Sequence, residues 1–309
     1  MSSLAANQVV PLRKQLWADG MLAIVTLIWG STFVLVKDMV EQVPVMTFLA
    51  ARFAIGGLAL AASVLLLGRW RALTMRELGW GVLVGAALWA GYAFQTLGLQ
   101  GTTASKAGFI TGLSVVLVPV LGLFVLRHRP GLWAWAGIAL ATSGLALLSL
   151  RLDERLEVNR GDLLVLGCAV AFALHIVLVA RTVRWADPLR LTTVQVIVAG
   201  LLNAVSAALA GQQVASMSQE VWASVVFLGV AATALAFLVQ VSVQRFTTAT
   251  HTALIFTLEP VFAAIFGSWL DNDVLGISGW VGAGLILGGM LVTELFPYLA
   301  KRNSANPGD

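Results

Sequence analysis

TTASKAGFITGLSVV at residues 102–116 and TTATHTALIFTLEPV at residues 247–261 are two copies of one pattern, 145 residues apart. Thr102, Thr103, Ala104, Ile110, Leu113 and Val116 recur as Thr247, Thr248, Ala249, Ile255, Leu258 and Val261. The same offset pairs Gln95 with Gln240, Gly131 with Gly276, Trp135 with Trp280, Gly137 with Gly282 and Gly144 with Gly289. An offset one residue smaller pairs Pro44 with Pro188 and Gly56 with Gly200. Leucine matches arise easily in a chain this apolar, so the glutamine and tryptophan pairs carry the weight. The chain is an internal duplication.

Composition sets the solvent of the fold. Hydrophobic residues make up 59% of the 309 and charged residues 11%, whereas soluble domains have about 45–50% and about 25%. Ten apolar segments follow, at 20–36, 44–67, 78–99, 102–126, 131–150, 161–180, 189–211, 220–244, 247–270 and 275–295. A helix crossing the hydrocarbon needs about 20 apolar residues at about 1.5 Å each. In lipid no water satisfies backbone amides, so these runs are expected as helices. The expectation is an all-α integral membrane protein, with ten transmembrane helices forming two inverted five-helix repeats. The first repeat takes 17–150 and the second 161–300; tails of 1–16 and 301–309 flank them, and the charged stretch Arg151–Arg160 joins them. The apolar run after Arg13 and Lys14 continues to Val36 without a small-residue cleavage site, so it reads as an uncleaved span.

Basic residues fix the orientation. Alternate connections collect thirteen Lys and Arg on one side (at 13, 14, 69, 71, 76, 127, 129, 181, 184, 190, 245, 301 and 302) and five on the other (Lys37, Lys106, Arg151, Arg155 and Arg160). Both termini are therefore expected in the cytoplasm. The net charge of +4 orients the chain, and no basic cluster with interleaved aromatics points to nucleic acid. Five spans per half is an odd number, so the second half enters the membrane upside down. Secondary transporters recurrently use this plan to open a central site to each side in turn.

Intramembrane polar residues mark where that site should be. Glu259 lies about twelve residues, roughly 18 Å, into the ninth span. An acid there costs about 2.5–3.5 kcal/mol to insert, so it faces a cavity or a partner. It suits a cation-binding or proton-exchanging carboxylate, or equally an ion pair tying helices together. Pro260 frees the carbonyl of Phe256, and Pro119 that of Val115; both are candidates for interrupted, ligand-lining helices or for simple packing kinks. Thr248, Thr252 and Glu259 share one helical face, and Thr103, Ala107, Thr111 and Ser114 form the equivalent stripe. Arg52, eight residues into the second span, could hold a substrate carboxylate, pair with Glu259, or snorkel outward. Trp29, Ser31, Thr32 and Phe33 in the first span, Tyr92 and Gln95 in the third, Phe172 and His175 in the sixth and Gln240 in the eighth supply aromatic walls with few polar groups. His175 could titrate near neutral pH. Lys106 and His251 are repeat equivalents near opposite surfaces, suited to helix ends or cavity entrances. Gly108 and Gly112 permit close helix contact, while Trp135 and Trp280 suit the interfacial belts.

Taken in order, WGSTFVLVK (29–37), ARF (51–53), TTASKAGFITGLSVVLVP (102–119), DPLRLT (187–192), TALIFTLEPVFA (252–263) and the glycine-rich last span resemble the EamA domains of the drug/metabolite transporter superfamily. The resemblance covers about residues 17–299. It implies ten helices, cytoplasmic termini, a cavity between the halves and no nucleotide hydrolysis, with relatives that are often exporters of amino acids or other metabolites. Phe172-Ala-Leu-His175 departs from it, because relatives often carry a tryptophan and a tyrosine there.

The expected protein is thus a secondary transporter of small polar or amphipathic metabolites in a bacterial inner membrane, with no cofactor. Its expected partners are a small-molecule substrate and the lipid bilayer, with no nucleic acid and with a homodimer left open. A channel-like carrier or a drug or cation efflux protein is the alternative. An intramembrane enzyme is disfavoured: there is no His-Glu-x-x-His motif, phosphate loop or paired intramembrane aspartates, and only three histidines. Cys168, the lone cysteine, excludes an internal disulfide and reads as a packing residue.

Overall fold

Polar caps cut the apolar chain into helices. The computed structural model describes residues 11–102, 104–127, 129–149, 159–212, 217–270 and 276–305. Thr103, most of the connection at 151–160 and the outer parts of both tails lie outside the described residues, as do the side chains of Phe33, Lys37 and Lys106.

The first half holds α1 (Leu12–Ser31), α2 (Phe33–Gln42), α3 (Val45–Leu66), α4 (Met75–Leu99), α5 (Ala104–Gly112), α6 (Ser114–Val125) and α7 (Leu132–Ser149). The second holds α8 (Arg160–Thr182), α9 (Pro188–Leu209), α10 (Gln219–Gly229), α11 (Ala236–Val243), α12 (Ala249–Phe256), α13 (Leu258–Leu270) and α14 (Ile277–Ala305). A π-helical stretch, Val230–Leu235, joins α10 to α11. No strand occurs among the described residues.

Capping boxes start α4 (Thr74 with Glu77) and α8 (Asn159 with Asp162). Asp187 caps α9, whose first residue is Pro188. Each box satisfies amides that the first helical turn leaves open. Gly68 ends α3 and Gly211 ends α9, both left-handed at φ 64° and 65°; a side chain there would be strained. The two glycines stand 143 residues apart, close to the repeat offset.

Seven helical segments are long and apolar enough to cross a membrane: Val45–Leu66, Met75–Leu99, Ala107–Val125, Arg160–Thr182, Pro188–Leu209, Gln219–Phe246 and Ala249–Phe266. The remaining three of the ten expected segments look different. The first is interrupted at Thr32, between α1 and α2, and the fifth and tenth contain the shorter apolar stretches Leu132–Leu148 and Ile277–Thr293.

Packing joins elements from the two halves. α3 and α4 both lie along α9, α4 and α6 along α8, α1 along α13, and α7 along α14. Glycines set the closest approaches. A Cβ on Gly289 would lie 2.5 Å from the Gly137 carbonyl, and one on Gly282 would lie 2.5 Å from the Gly144 carbonyl. Backbones touch there because no side chain intervenes. At the starts of α4 and α9, Glu77 is 3% exposed and receives Arg190 at 2.7 Å, with the Asp187 amide donating at 3.0 Å. Asp187 in turn takes Arg69 at 2.8 Å.

Candidate functional site

The helix interruptions converge on one region. At Thr32 the hydroxyl donates to the Trp29 carbonyl at 2.9 Å, and Ser31 donates to Ile28 at 2.8 Å. At Thr257, between α12 and α13, the hydroxyl donates to Leu254 at 2.6 Å. These hydroxyls compete for carbonyls of the local ladder, and so bend or end a helix. Pro260 follows the second break, and Leu113 separates α5 from α6 ahead of Pro119. The π-helix supplies a further irregularity, of the kind often found at functional sites.

Glycines then bring these breaks together. A Cβ on Gly30 would stand 2.8 Å from the Glu259 carbonyl, so α13 lies directly against α1 beside Trp29. Gly56 and Gly229 would each meet the other helix at 2.8 Å, Gly56 at the Gly229 carbonyl and Gly229 at the Arg52 carbonyl. That contact seats Arg52 opposite the π-helix. Its Nε donates to the Thr233 hydroxyl at 2.8 Å, its Nη2 points to the Ala232 carbonyl at 3.4 Å, and its guanidinium lies 5.1 Å from the Tyr92 ring centroid. The Ala232 carbonyl also accepts the Trp29 indole at 2.8 Å. Arg52 is 3% exposed, so it is buried and does not snorkel.

Aromatic rings wall the region. Trp29 meets Phe237 and Phe256, each at 5.2 Å between centroids, and Tyr92 meets Phe53 at 5.1 Å, Phe172 at 5.5 Å and Phe237 at 6.2 Å. Gly91 on α4 leaves the space that the Phe172 ring occupies. All but the tilted Trp29–Phe237 pair meet edge-on, and such pairs contribute about 0.5–1.5 kcal/mol beyond their buried area.

Glu259 borders this box and is only partly buried, as are Trp29, Tyr92, Gln95, Phe172 and Phe256. Its carboxylate forms no hydrogen bond or ion pair among the described residues, although it lies close enough to Arg52 to feel that charge. Two opposite charges thus occupy one aromatic region without a direct bond between them among the described residues, in segments apolar enough to span a membrane.

The other expected residues are dispersed. Gln95 and Thr111 meet at 3.4 Å, and Thr111 lies 3.8 Å from Cys168, so both belong to the region around the box. Ser114 is buried at the start of α6. His175 is 2% exposed, binds the Gln195 side chain at 2.8 Å and stacks edge-on to Phe237 at 5.8 Å, which puts it behind the aromatic wall. Gln240 is fully buried and reaches Gln244 at 3.4 Å. Thr252 is likewise buried and donates to its own helix at Thr248. His251 approaches Gln15 at 3.4 Å. Phe53, Thr233 and Phe237 belong to the box and were not singled out from the sequence. Among the described residues no three His, Cys, Asp or Glu gather as a metal site.

Comparisons with known proteins bear on the family and the fold. Residues 16–150 and 159–295 each match the EamA-like transporter family. An "uncharacterized transporter" of Archaeoglobus fulgidus is 32% identical over 282 residues, 91% of this chain and 87% of that protein. The "uncharacterized inner membrane transporter YedA" of Escherichia coli is 24% identical and spans 95% and 94%. "Uncharacterized transporter YetK" of Bacillus subtilis is 25% identical and spans 93% and 89%. One solved crystal structure shares the fold, with a TM-score of 0.77, 18% identity and coverage of 91% of this chain and 97% of the other.

Proposed function

The chain belongs to the EamA-like transporter family and is a multi-pass membrane protein of the drug/metabolite transporter superfamily; from that premise we propose that it exports small zwitterionic, partly apolar metabolites, amino acids or close relatives, by alternating access. The membrane is a bacterial inner membrane, both termini lie in the cytoplasm, and ten spans form two inverted repeats at 17–150 and 161–300. The glycine contacts support the repeat. The offset of 145 converts Gly137 into Gly282 and Gly144 into Gly289, so the Gly137–Gly289 and Gly144–Gly282 contacts exchange under it. A twofold relation between halves has that signature.

The observation that carries the functional reading is Glu259, a half-buried residue whose carboxylate has no hydrogen-bonded partner among the described residues, beside an aromatic box that also holds Arg52. A zwitterion offers its ammonium to Glu259, its carboxylate to Arg52 and its side chain to Trp29, Phe172 and Phe256. Had the two charges closed on each other, the site would read as a structural ion pair. When substrate leaves, Glu259 can take up a proton, which would couple export to proton entry.

The test is a thermal-stability screen of purified protein against amino acids, nucleosides, sugars and quaternary ammonium ions. A ligand at about 100 times its Kd stabilises by about 2.7 kcal/mol. Amino acids should raise the melting temperature, and Glu259→Gln should remove that shift while leaving the unliganded melt in place. A second reading, efflux of organic cations, draws on the same carboxylate among aromatic rings. Stabilisation by quaternary ammonium ions and not by zwitterions would replace the first reading with the second.

A further inference from the structure

Away from the aromatic box, at the end of the bundle where the arginines gather, Trp80, Phe124, Val125, Leu126, Arg127 and Arg181 line a cavity of about 560 Å³. Three helices that sequence separates widely meet there: the first turns of α4, the end of α6 and the last turn of α8. Arg181 donates through Nη1 to the Val125 carbonyl at 2.6 Å and rests 5.4 Å from the Trp80 ring centroid. Neither Arg181 nor Arg127 has a carboxylate partner among the described residues. Phe124, by contrast, is 77% exposed on the adjacent outer surface.

The backbone adds an independent observation. Arg127 has φ 54° and is the one non-glycine residue with positive φ among those described. It directly follows the Leu126 cap of α6, a position that glycine normally fills because a Cβ is unfavourable there. Gly68 and Gly211 fill the matching positions after α3 and α9. An arginine kept in a conformation that favours glycine points to a use for its side chain.

We propose that this cavity binds the phosphate headgroup of an anionic phospholipid from the surrounding bilayer, with Arg127 and Arg181 on the phosphate, Trp80 at the headgroup level and an acyl chain along Phe124. Basic pockets between spanning helices suit such headgroups, and tryptophan suits the interface. Phe124 favours a lipid over a soluble phosphate, because it sets an apolar, outward-facing surface of a candidate span directly beside the arginines, where the acyl chain of a bound headgroup can lie.

Native mass spectrometry of the full-length protein with equimolar phosphatidylglycerol and phosphatidylcholine of identical chains tests this. Wild type should retain phosphatidylglycerol selectively, with about a fivefold contribution per arginine. Arg127→Gly relieves the left-handed strain, so it should melt in neutral detergent no lower than wild type, yet lose about fivefold in selectivity. Arg184→Gln removes the same charge from the same end of the protein outside the cavity and should keep the selectivity. Equal losses in the two variants would reduce the effect to surface charge and overturn the proposal, as would unchanged selectivity in Arg127→Gly. Displacement of the lipid by millimolar glycerol phosphate would also overturn it, by making the ligand a soluble phosphate.

Discussion

Glu259 and Arg52 carry unequal burdens at the scale of single residues. Arg52 is anchored by Thr233, Ala232 and Tyr92, whereas Glu259 has no hydrogen-bonded partner among the described residues. Arg52→Lys should therefore leave the protein folded but remove the planar fork that binds a carboxylate, weakening zwitterion binding about 10–100-fold. Isothermal titration of a ligand found in the screen would measure this; unchanged affinity would move the carboxylate site elsewhere. His175 belongs to a different category. Its bond to Gln195 ties α8 to α9, and the Gln195 amide nitrogen already lacks a partner. His175→Ala should cost about 1–3 kcal/mol in unfolding free energy, a loss the sequence could not separate from a functional one.

At the scale of elements, two kinds of contact between helices can be tested separately: bare backbone against backbone, and the ion pair of Glu77 with Arg190. Gly289→Ala places a methyl group 2.5 Å from the Gly137 carbonyl and should destabilise by about 1–3 kcal/mol through forced displacement. Gly284→Ala, on the same helix with nothing within 4 Å, should be neutral or slightly stabilising. Parallel melts in detergent compare the two, and similar melts would deny that α7 and α14 touch there. Removing Arg190 as Arg190→Ala leaves Glu77, 3% exposed, without its cation. A cost of about 3–5 kcal/mol is typical of a broken buried pair, and partial exposure of Arg190 places the expectation at the lower end.

Much of this was legible because the informative residues are rare in an apolar chain. Gln95 and Gln240, Trp135 and Trp280, and the paired glycines revealed the repeat; Glu259 and Arg52 stood out because a charge amid apolar residues must be explained. Phe53 and Phe237 were not legible, since neither side of a helix surrounded by lipid and protein is polar enough to tell inside from outside. Thr233 left a signal: it is the one polar residue between Ser224 and Gln240. The break at Thr32 and the π-helix arise from hydroxyl competition and tertiary contact, which no hydrophobic run records.

The whole molecule functions, on this account, because two halves meet at the aromatic box and separate alternately at either end. The Glu77–Arg190–Asp187–Arg69 cluster joins α4 of the first half to α9 of the second, so it can close the basic end while the opposite end opens. The most direct test is access to the box from both faces of the membrane. In a Cys168→Ala background, Thr111→Cys would be exposed to a membrane-impermeant thiol reagent applied to either side of sealed, uniformly oriented vesicles. Labelling from each side, with protection from both by the stabilising ligand, is the predicted result; reaction from one side only, under every ligand condition, would contradict alternating access through this box.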